Sequence, residues 1–230
     1  MSKYKILLFD ADGTILDFEK SEAIALKKTF EKFNLLYDEN NYLKFYKKLN
    51  AEIWSEFENG EISAAKLKPE RFRRFNSKYN FNIEPSLMSD TYLEYLSEAG
   101  YFLDGAEKLL SELKNNFKMI LLTNGLTAVQ KKRFSKTNLK NYFEKIIISE
   151  EVGFKKPQKE IFELSLKDIE YNKKKNEILM IGDNLRSDIL GGINFGIDTC
   201  WFNPLKKIGD ENIKPTYHIQ TFDEILKLVN

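Results

Sequence analysis

The sequence predicts an α/β protein with a doubly wound parallel sheet and an all-helical insertion. Short apolar runs, each ended by polar residues or glycine, are typical of strands that are buried on both faces of a parallel sheet. Helical patterns alternate with these runs from about residue 100 onward, as in doubly wound folds. The predicted strands cover residues 6–9, 119–122, 146–148, 178–181 and 199–202.

Two segments between the strands and one at the end of the sequence have apolar residues at helical spacing. Ala106, Leu109 and Leu113 share one helical face, and a less regular apolar stretch covers residues 161–166. Residues 222–229 are apolar at positions 222, 225, 226 and 229, which predicts a closing helix. Strand and helix therefore alternate through this half of the sequence.

Residues 16–97 have no strand pattern and contain many aromatic and charged residues. An apolar stripe from Tyr42 to Ile53 recurs at spacings of three and four, which predicts a helix with one buried face. We therefore expect two domains. The core, a Rossmann-like sheet, comprises residues 1–15 and 98–230, and an all-helical domain is inserted at residues 16–97 after the first strand.

The composition predicts a globular cytoplasmic protein. The 36 basic residues balance 35 acidic ones, so no excess of charge attracts a nucleic acid polymer or a membrane surface. Cys200 is the only cysteine, which fits a reducing compartment. The N-terminal apolar run is too short for a signal-peptide core, and no run approaches the roughly 20 apolar residues of a membrane span. The composition leaves the oligomeric state open between monomer and dimer.

Two acidic residues lie directly after the first strand, within the sequence DADGT at positions 10–14. Because residues i and i+2 of a strand point to the same side, Asp10 and Asp12 can address one site. Two carboxylates this close repel each other, and this costs free energy unless a cation offsets the repulsion. Binding of a cation or a phosphoryl reaction would explain such a pair. Since His218 is the only histidine, a histidine-rich metal cluster is excluded. The chemistry is therefore left to carboxylates, lysines and hydroxyls.

Three further polar sites accompany other predicted strands. They are Thr123 with Asn124, Lys156 in a loop before a helix, and Asp183 with Asp188. In an open parallel sheet the C-terminal ends of the strands lie along one edge, where all these sites can converge. Carboxylates suit Mg2+, a Thr-Asn-Gly turn can hold phosphate oxygens, and an aspartate can form an aspartyl-phosphate. Together these groups predict hydrolysis of a phosphate ester.

These residues resemble the four motifs of the haloacid dehalogenase-like phosphohydrolases, in the same order and with similar spacing. The matching segments are Asp-x-Asp-Gly-Thr at 10–14, Leu-Thr-Asn-Gly at 122–125, Lys156-Pro157, and Gly-Asp-x-x-x-x-Asp at 182–188. The helical segment resembles the small cap domain of the family's first cap class. Residues 54–63, 149–153 and 187–194 resemble more specifically the bacterial pyrimidine 5'-nucleotidases, which dephosphorylate nucleoside monophosphates.

The resemblance implies roles for the acidic residues around a magnesium ion. Asp10 would be the nucleophile and also a metal ligand. Asp12 would be the general acid and then the general base, with its backbone carbonyl on the metal, and this role requires a proton on Asp12 for part of the cycle. Asp183 would be the remaining direct ligand, and Asp188 would orient the metal's waters or Lys156.

The resemblance also implies how a small phosphate-ester substrate is held. Thr123 and Asn124 would bind the phosphoryl oxygens, and Lys156 would stabilise Asp10 and the transferring group. The expected activity is a Mg2+-dependent phosphomonoesterase that acts on pyrimidine nucleoside 5'-monophosphates.

Four alternatives remain at this point. A phosphatase for a sugar phosphate or phosphoglycolate, or a sugar phosphomutase, would use the same motifs. Haloacid dehalogenation is disfavoured because it needs no general acid at Asp12. A receiver-like phospho-aspartate binding module is disfavoured because receivers place the phosphoacceptor on a middle strand and have no helical insertion.

Each motif taken singly has an ordinary structural explanation. Thr-Asn-Gly is a common turn, Asp183 can cap a helix, and Lys156 can be a surface lysine. Their joint occurrence, each with a separate strand, favours the functional interpretation. In the helical segment Phe72 and Tyr92 are expected to pack between helices. Arg71 is expected to form a surface ion pair, with contact to a ligand as the alternative.

Overall fold

The computed structural model describes residues 2–169 and 174–230 and contains a sheet of six parallel strands. The order across the sheet is β3-β2-β1-β4-β5-β6, so β1 lies at the centre between β2 and β4. This arrangement confirms the predicted doubly wound parallel sheet. The strands are β1 (Ile6–Phe9), β2 (Lys118–Thr123), β3 (Lys145–Ile148), β4 (Ile178–Gly182), β5 (Asp198–Phe202) and β6 (Tyr217–Ile219).

Helices cover both faces of the sheet. Leu7 and Phe9 of β1 lie in one apolar cluster, which includes Leu110, while Ile6 and Leu8 lie in a second cluster on the opposite side. Since successive strand side chains point to opposite faces, all four β1 side chains are buried, and each contributes about 1.5–3 kcal/mol by leaving water. The helices of this part are α5 (Ala106–Leu113), α7 (Ser149–Val152), α8 (Lys159–Leu166), α9 (Leu190–Phe195) and α10 (Phe222–Val229), and α6 (Thr127–Lys136) lies between β2 and β3 in the sequence.

The edge strand β6 was not predicted from the sequence. It has three residues, of which Tyr217 and His218 are only partly buried or exposed, so it lacks the continuous apolar run of the other strands. His218 instead stacks on Trp201 of β5, with ring centroids 4.5 Å apart. Cys200 is buried within β5, as its apolar surroundings predicted.

The chain divides into two compact units. The first comprises Met1–Phe18, Tyr101–Thr127 and Phe134–Asn230, and the second comprises Glu19–Gly100 with Ala128–Arg133. Within the described residues, no helix combines the length and the apolar character that crossing a lipid bilayer would require.

The second unit is built mainly from four helices whose ends carry local sequence signals. The Ser63 side chain accepts a hydrogen bond from the Lys66 N–H, and Glu84 does the same for Leu87 just before Pro85 at the first helical position. Phe72 and Tyr92 are fully buried with ring centroids 5.5 Å apart, which confirms their expected packing role. The helices are α1 (Phe18–Lys32), α2 (Lys44–Glu58), α3 (Ala64–Tyr79) and α4 (Pro85–Glu98).

A buried polar network lies among these helices and corrects the expectation for Arg71. Arg71 is 1% exposed, and its guanidinium donates to Asn50 Oδ1 at 3.2 Å and to the Lys68 carbonyl at 3.3 Å. Asn50 in turn donates from Nδ2 to Glu22 at 2.7 Å. The expected surface ion pair is therefore wrong. The helical pattern could not show that one polar residue from each of three helices meets inside the unit.

Replacing Glu22 by glutamine is expected to stabilise the chain at pH 8 but not at pH 5. Burial raises the pKa of Glu22 to about 7 against the opposing effects of Asn50, Lys47 and Arg71. The folded state therefore holds a proton that the unfolded state releases, and stability falls as pH rises from about 4.5 to about 7. Glutamine keeps the acceptor for Asn50 without a charge, so the gain at pH 8 is up to about 3 kcal/mol.

Urea unfolding of the two proteins at pH 5 and pH 8 measures this difference. The matched control is Glu94→Gln at an exposed position of α4, which should change stability by less than about 0.5 kcal/mol at either pH. A gain from Glu22→Gln that is equal at both pH values would contradict the prediction.

Candidate active site

Asp10 and Lys156 form an ion pair at the C-terminal end of β1. The Asp10 backbone N–H donates to the Ile181 carbonyl at 2.9 Å, which continues the pairing of β1 with β4 just past the strand. Lys156 Nζ donates to Asp10 Oδ1 at 2.5 Å, and both residues are buried. Thr14 donates from its hydroxyl to the other oxygen, Oδ2, at 3.2 Å. Both oxygens of the Asp10 carboxylate are therefore held by side chains of the same site.

The Lys156 ammonium has partners in three directions. Besides Asp10, it donates to the Leu122 carbonyl of β2 at 2.7 Å and lies 2.7 Å from Asp188 Oδ1. The side chain is 2% exposed, so the charge is shielded from water and depends on these contacts. The alternative interpretation of Lys156 as a surface lysine is excluded, and its ammonium connects groups that belong to or follow three different strands.

The Asn124 side chain fixes the backbone of Lys156. Asn124 Oδ1 accepts from the Lys156 N–H at 2.8 Å, and Asn124 Nδ2 donates to the Lys156 carbonyl at 2.9 Å. The Lys156–Pro157 peptide bond is cis. Thr123 is the last residue of β2, and its buried hydroxyl accepts from the Gly125 N–H at 3.1 Å. The turn after β2 therefore holds the lysine loop in place.

Asp188 reaches the site from a π-helical turn, Leu185–Ile189, that follows β4. Its Oδ2 accepts from the Asn184 N–H at 3.0 Å, and its own N–H donates to the Asn184 carbonyl at 3.0 Å. A side chain at Gly182 would place its Cβ 2.3 Å from Asp188 Oδ2, which is closer than atoms can approach. Glycine at 182 is therefore needed for Asp188 to face Lys156.

Asp183 is positioned mainly through its backbone. Its N–H donates to the Thr14 hydroxyl at 3.0 Å, and its carbonyl accepts from the Trp201 indole at 2.9 Å. Gly13 has φ of 86°, a conformation that favours glycine, and a Cβ there would lie 2.9 Å from Asp183 Oδ2. The Asp183 carboxylate is paired with Lys207, whose Nζ lies 3.0 Å from Oδ2.

Three of the acids form a group that fits a divalent cation. Asp10, Asp183 and Asp188 each offer one carboxylate oxygen, and these oxygens all lie within 4.8 Å of one another. Hard oxygen ligands of this kind suit Mg2+, which usually keeps several waters and takes few protein carboxylates. Asp12 is half-buried two residues after Asp10, and its carboxylate lies outside this group of three.

Burial and mutual repulsion raise the pKa values of these acids. Burial, with smaller effects from Asp188 and Asp12, raises the pKa of Asp10 to about 7 although Lys156 opposes the shift. Burial likewise raises the pKa of Asp183 to about 6 and that of Asp188 to about 6. Burial lowers the pKa of Lys156, but Asp10 and Asp188 outweigh it and leave the pKa above its usual range. Lys156 is therefore charged, but its single positive charge does not balance the three carboxylates around it.

The structure therefore brings the predicted residues Asp10, Lys156, Asp183 and Asp188 together. Thr123 ends the strand next to β1, and Asn124 contacts Lys156 directly. Sequence reasoning missed Thr14, Trp201, Asn184 and Lys207. Thr14 is the last residue of the first motif, Asp-x-Asp-Gly-Thr, so its place in the motif could have identified it as a site residue. Trp201 and Lys207 gave no local signal, because their contacts with Asp183 depend on how β5 and the following loop fold.

Replacing Lys156 by methionine is expected to destabilise the metal-free chain by about 3–5 kcal/mol at pH 7.5, because buried charges lose their partner. The loss should be smaller at pH 5, where Asp10 and Asp188 already hold protons in the folded state. Because the pKa values of Asp10 and Asp188 are raised in the folded state, the free energy of unfolding falls as pH rises from about 4 to about 7. Loss of the Lys156 charge makes this fall steeper, since Lys156 opposes both shifts.

Urea unfolding in the presence of EDTA at pH 5 and pH 7.5 measures the effect. Lys159→Met, an exposed lysine at the start of α8, serves as the control and should stay within about 0.5 kcal/mol. An equal loss for Lys156→Met at both pH values would show that the side chain acts by packing and not by its charge.

Known proteins resemble this chain over its whole length. HAD-hydrolase YfnB of Bacillus subtilis is 36% identical over 230 residues, covering 100% of this chain and 97% of the relative. Its crystal structure bound to magnesium matches with a TM-score of 0.93, covering 99% of both chains. Pyrimidine 5'-nucleotidase YjjG of Escherichia coli is 33% identical, covering 99% of this chain and 98% of the relative. Pyrimidine 5'-nucleotidase PynA of Streptococcus pneumoniae is 35% identical, covering 97% and 94%.

The sequence also matches the haloacid dehalogenase-like hydrolase family over residues 4–196, a range that includes the whole acidic cluster and Lys156. The resemblance based on the four motifs is thereby confirmed. This chain belongs to the haloacid dehalogenase-like hydrolases and is an enzyme of that family.

Proposed function

We propose that this enzyme is a Mg2+-dependent phosphomonoesterase that hydrolyses pyrimidine nucleoside 5'-monophosphates through an aspartyl-phosphate on Asp10. The observation that carries the proposal is the buried contact of Asp10 with Lys156, beside two further carboxylates within 4.8 Å. A fixed cation next to the nucleophile and acids able to bind a metal are what transfer of a phosphoryl dianion requires.

The acidic cluster supports the magnesium requirement. Asp10 and Asp183 would hold the ion directly together with the backbone carbonyl of Asp12, and Asp188 would support it through Lys156 and bound water. When bound, Mg2+ supplies positive charge that neutralises the phosphoryl oxygens and the carboxylates. The raised pKa values of Asp183 and Asp188 agree with this assignment, because a site that lacks cationic charge binds a cation favourably.

The reaction would proceed in two displacements at phosphorus. A carboxylate oxygen of Asp10 attacks phosphorus, the bond from phosphorus to the nucleoside oxygen breaks, and Asp12 gives its proton to the leaving alkoxide. Asp12 then removes a proton from a water molecule, which attacks phosphorus and releases inorganic phosphate from Asp10. Lys156 keeps Asp10 oriented, and its charge offsets the charge that accumulates on the transferring group.

Thr123 and Asn124 would bind the phosphoryl oxygens. The Thr123 hydroxyl is buried at the end of β2 and can donate to a phosphoryl oxygen. The Asn124 amide holds the Lys156 backbone through its oxygen and one of its two N–H groups. We therefore assign Asn124 a combined role, in which its backbone N–H would donate to the phosphate and its side chain positions the lysine.

The helical unit, Glu19–Gly100 with Ala128–Arg133, would be the cap domain of this enzyme. Caps of this family select the substrate, and the two relatives named as pyrimidine 5'-nucleotidases support a pyrimidine nucleotide as that substrate. The partner of this protein is accordingly a small phosphate ester and not a nucleic acid polymer.

Phosphate release from a substrate panel tests the proposed activity. With Mg2+ present, uridine, cytidine and thymidine 5'-monophosphates should react at least about tenfold faster in kcat/KM than purine nucleotides, sugar phosphates or phosphoglycolate. EDTA should stop the reaction, and added Mg2+ should restore it. Preference for a sugar phosphate would overturn the substrate assignment. Isomerisation of a sugar 1-phosphate without phosphate release would identify a mutase instead.

Replacing Asp10 or Asp12 by asparagine is expected to abolish phosphate release while the fold stays intact. Asp10→Asn removes the nucleophile, and Asp12→Asn removes a proton carrier worth about 10²–10⁴ in rate. The thermal transition and circular dichroism report the fold, and Asp223→Asn, at an exposed position of α10, is the activity control. Near-normal turnover in either variant would refute the assigned mechanism.

A further inference from the structure

Lys207 is a second cation at the acidic cluster, and neither the motifs nor the proposed reaction uses it. Its Nζ lies 3.0 Å from Asp183 Oδ2, and its side chain is 53% exposed. It comes from the loop that follows β5, 24 residues after Asp183 in the sequence. Its charge opposes the effect of burial and lowers the pKa of Asp183.

A buried asparagine fixes the backbone at Lys207. Asn203 is 2% exposed, its Oδ1 accepts from the Lys207 N–H at 2.8 Å, and its Nδ2 donates to the Lys207 carbonyl at 3.0 Å. The Asn203 backbone N–H donates in turn to the Ile219 carbonyl of β6 at 2.8 Å. Lys206 between them has φ of 53°, so the turn reverses the chain sharply. Asn203 therefore connects the backbone of Lys207 to strand β6 at the end of the sheet.

The contacts of the two lysines differ in kind. Lys156 is buried, and its ammonium is held by Asp10, Asp188 and a backbone carbonyl. The Lys207 side chain is exposed and contacts Asp183 through its ammonium, and Asn203 holds only the backbone of Lys207. An ion pair of this kind is weak and can be displaced, because water solvates the free ammonium well. The Lys207 ammonium is therefore accessible to water, whereas the Lys156 ammonium is enclosed by its partners.

We propose that Lys207 competes with the divalent cation for Asp183 and lowers the affinity of the metal site. This inference rests on the proposed function, in which Asp183 is a direct metal ligand. Mg2+ binds carboxylate oxygens at about 2.1 Å, so an ion on Asp183 and an ammonium 3.0 Å from the same carboxylate repel each other strongly. The ammonium must move toward solvent when the ion binds.

Direct measurement of metal binding tests the competition without relying on catalysis. Isothermal titration calorimetry of Mg2+ into the full metal-free chain at low ionic strength compares wild type, Lys207→Met and Lys206→Met. Lys207→Met should bind Mg2+ about threefold to tenfold more tightly than wild type, since a single exposed charge is involved. Lys206→Met removes the same charge from the neighbouring exposed residue and should leave the affinity unchanged.

Salt provides a second readout. The difference between wild type and Lys207→Met should shrink in 0.5 M KCl, because the exposed ammonium is screened. Unchanged or weaker binding by Lys207→Met would overturn the inference, and so would equal tightening by Lys206→Met, which would indicate a general charge effect. Absence of Mg2+ binding by wild type would overturn the metal requirement itself, whereas binding that Lys207→Met leaves unchanged would overturn only the competition.

Discussion

The contact of the Lys156 ammonium with Asp10 and Asp188 is the interaction on which the rest of the site depends. It joins residues 146 positions apart in the sequence, and it lies where water cannot compensate the charges. Two buried carboxylates without this cation would be protonated or driven apart. The remaining hydrogen bond of the ammonium, to the Leu122 carbonyl, fixes its direction. The carbonyl fixes the position of the Lys156 ammonium, and the two carboxylates neutralise its charge.

The sheet topology makes this contact possible. β1 lies between β2 and β4, so the residues after these three strands meet at one edge although most of the sequence separates them. Two glycines give the acids room, since a side chain at Gly13 would collide with Asp183 and one at Gly182 with Asp188. The glycines of the first and the last motif are thus steric requirements of the cluster. Each of these two acids packs directly against a glycine of the site.

The sequence was sufficient for the parts of the fold that depend on hydrophobic periodicity. The continuous apolar runs predicted β1 to β5, and the closing helix was predicted over 222–229, the range that α10 spans. Convergence of the acids on one edge followed from the parallel order of the strands. β6 escaped prediction because three edge residues leave no periodic pattern. Arg71 was wrongly expected at the surface, because its burial depends on Asn50 from another helix.

The side-chain contacts of the site were beyond sequence reasoning for a different reason. A motif identifies residue types at strand ends, but it does not show which atoms bond to each other. Asn124 was expected to bind phosphate, and its amide also clamps the backbone of Lys156 from both sides. Thr14 was quoted only as part of a segment, and its hydroxyl donates to Asp10 and accepts from the Asp183 N–H. Such contacts require the packed sheet before they can be stated.

The charges of the acidic cluster are not balanced by the buried groups around it. Three carboxylates lie within 4.8 Å of one another, and the one buried ammonium identified among the described residues of the cluster, that of Lys156, does not balance them. The remaining repulsion raises the pKa values of Asp10, Asp183 and Asp188 together with burial. A second buried lysine would remove the repulsion permanently and would also occupy the place of a metal ion. The exposed Lys207 offsets part of the repulsion, and its ammonium stays accessible to water.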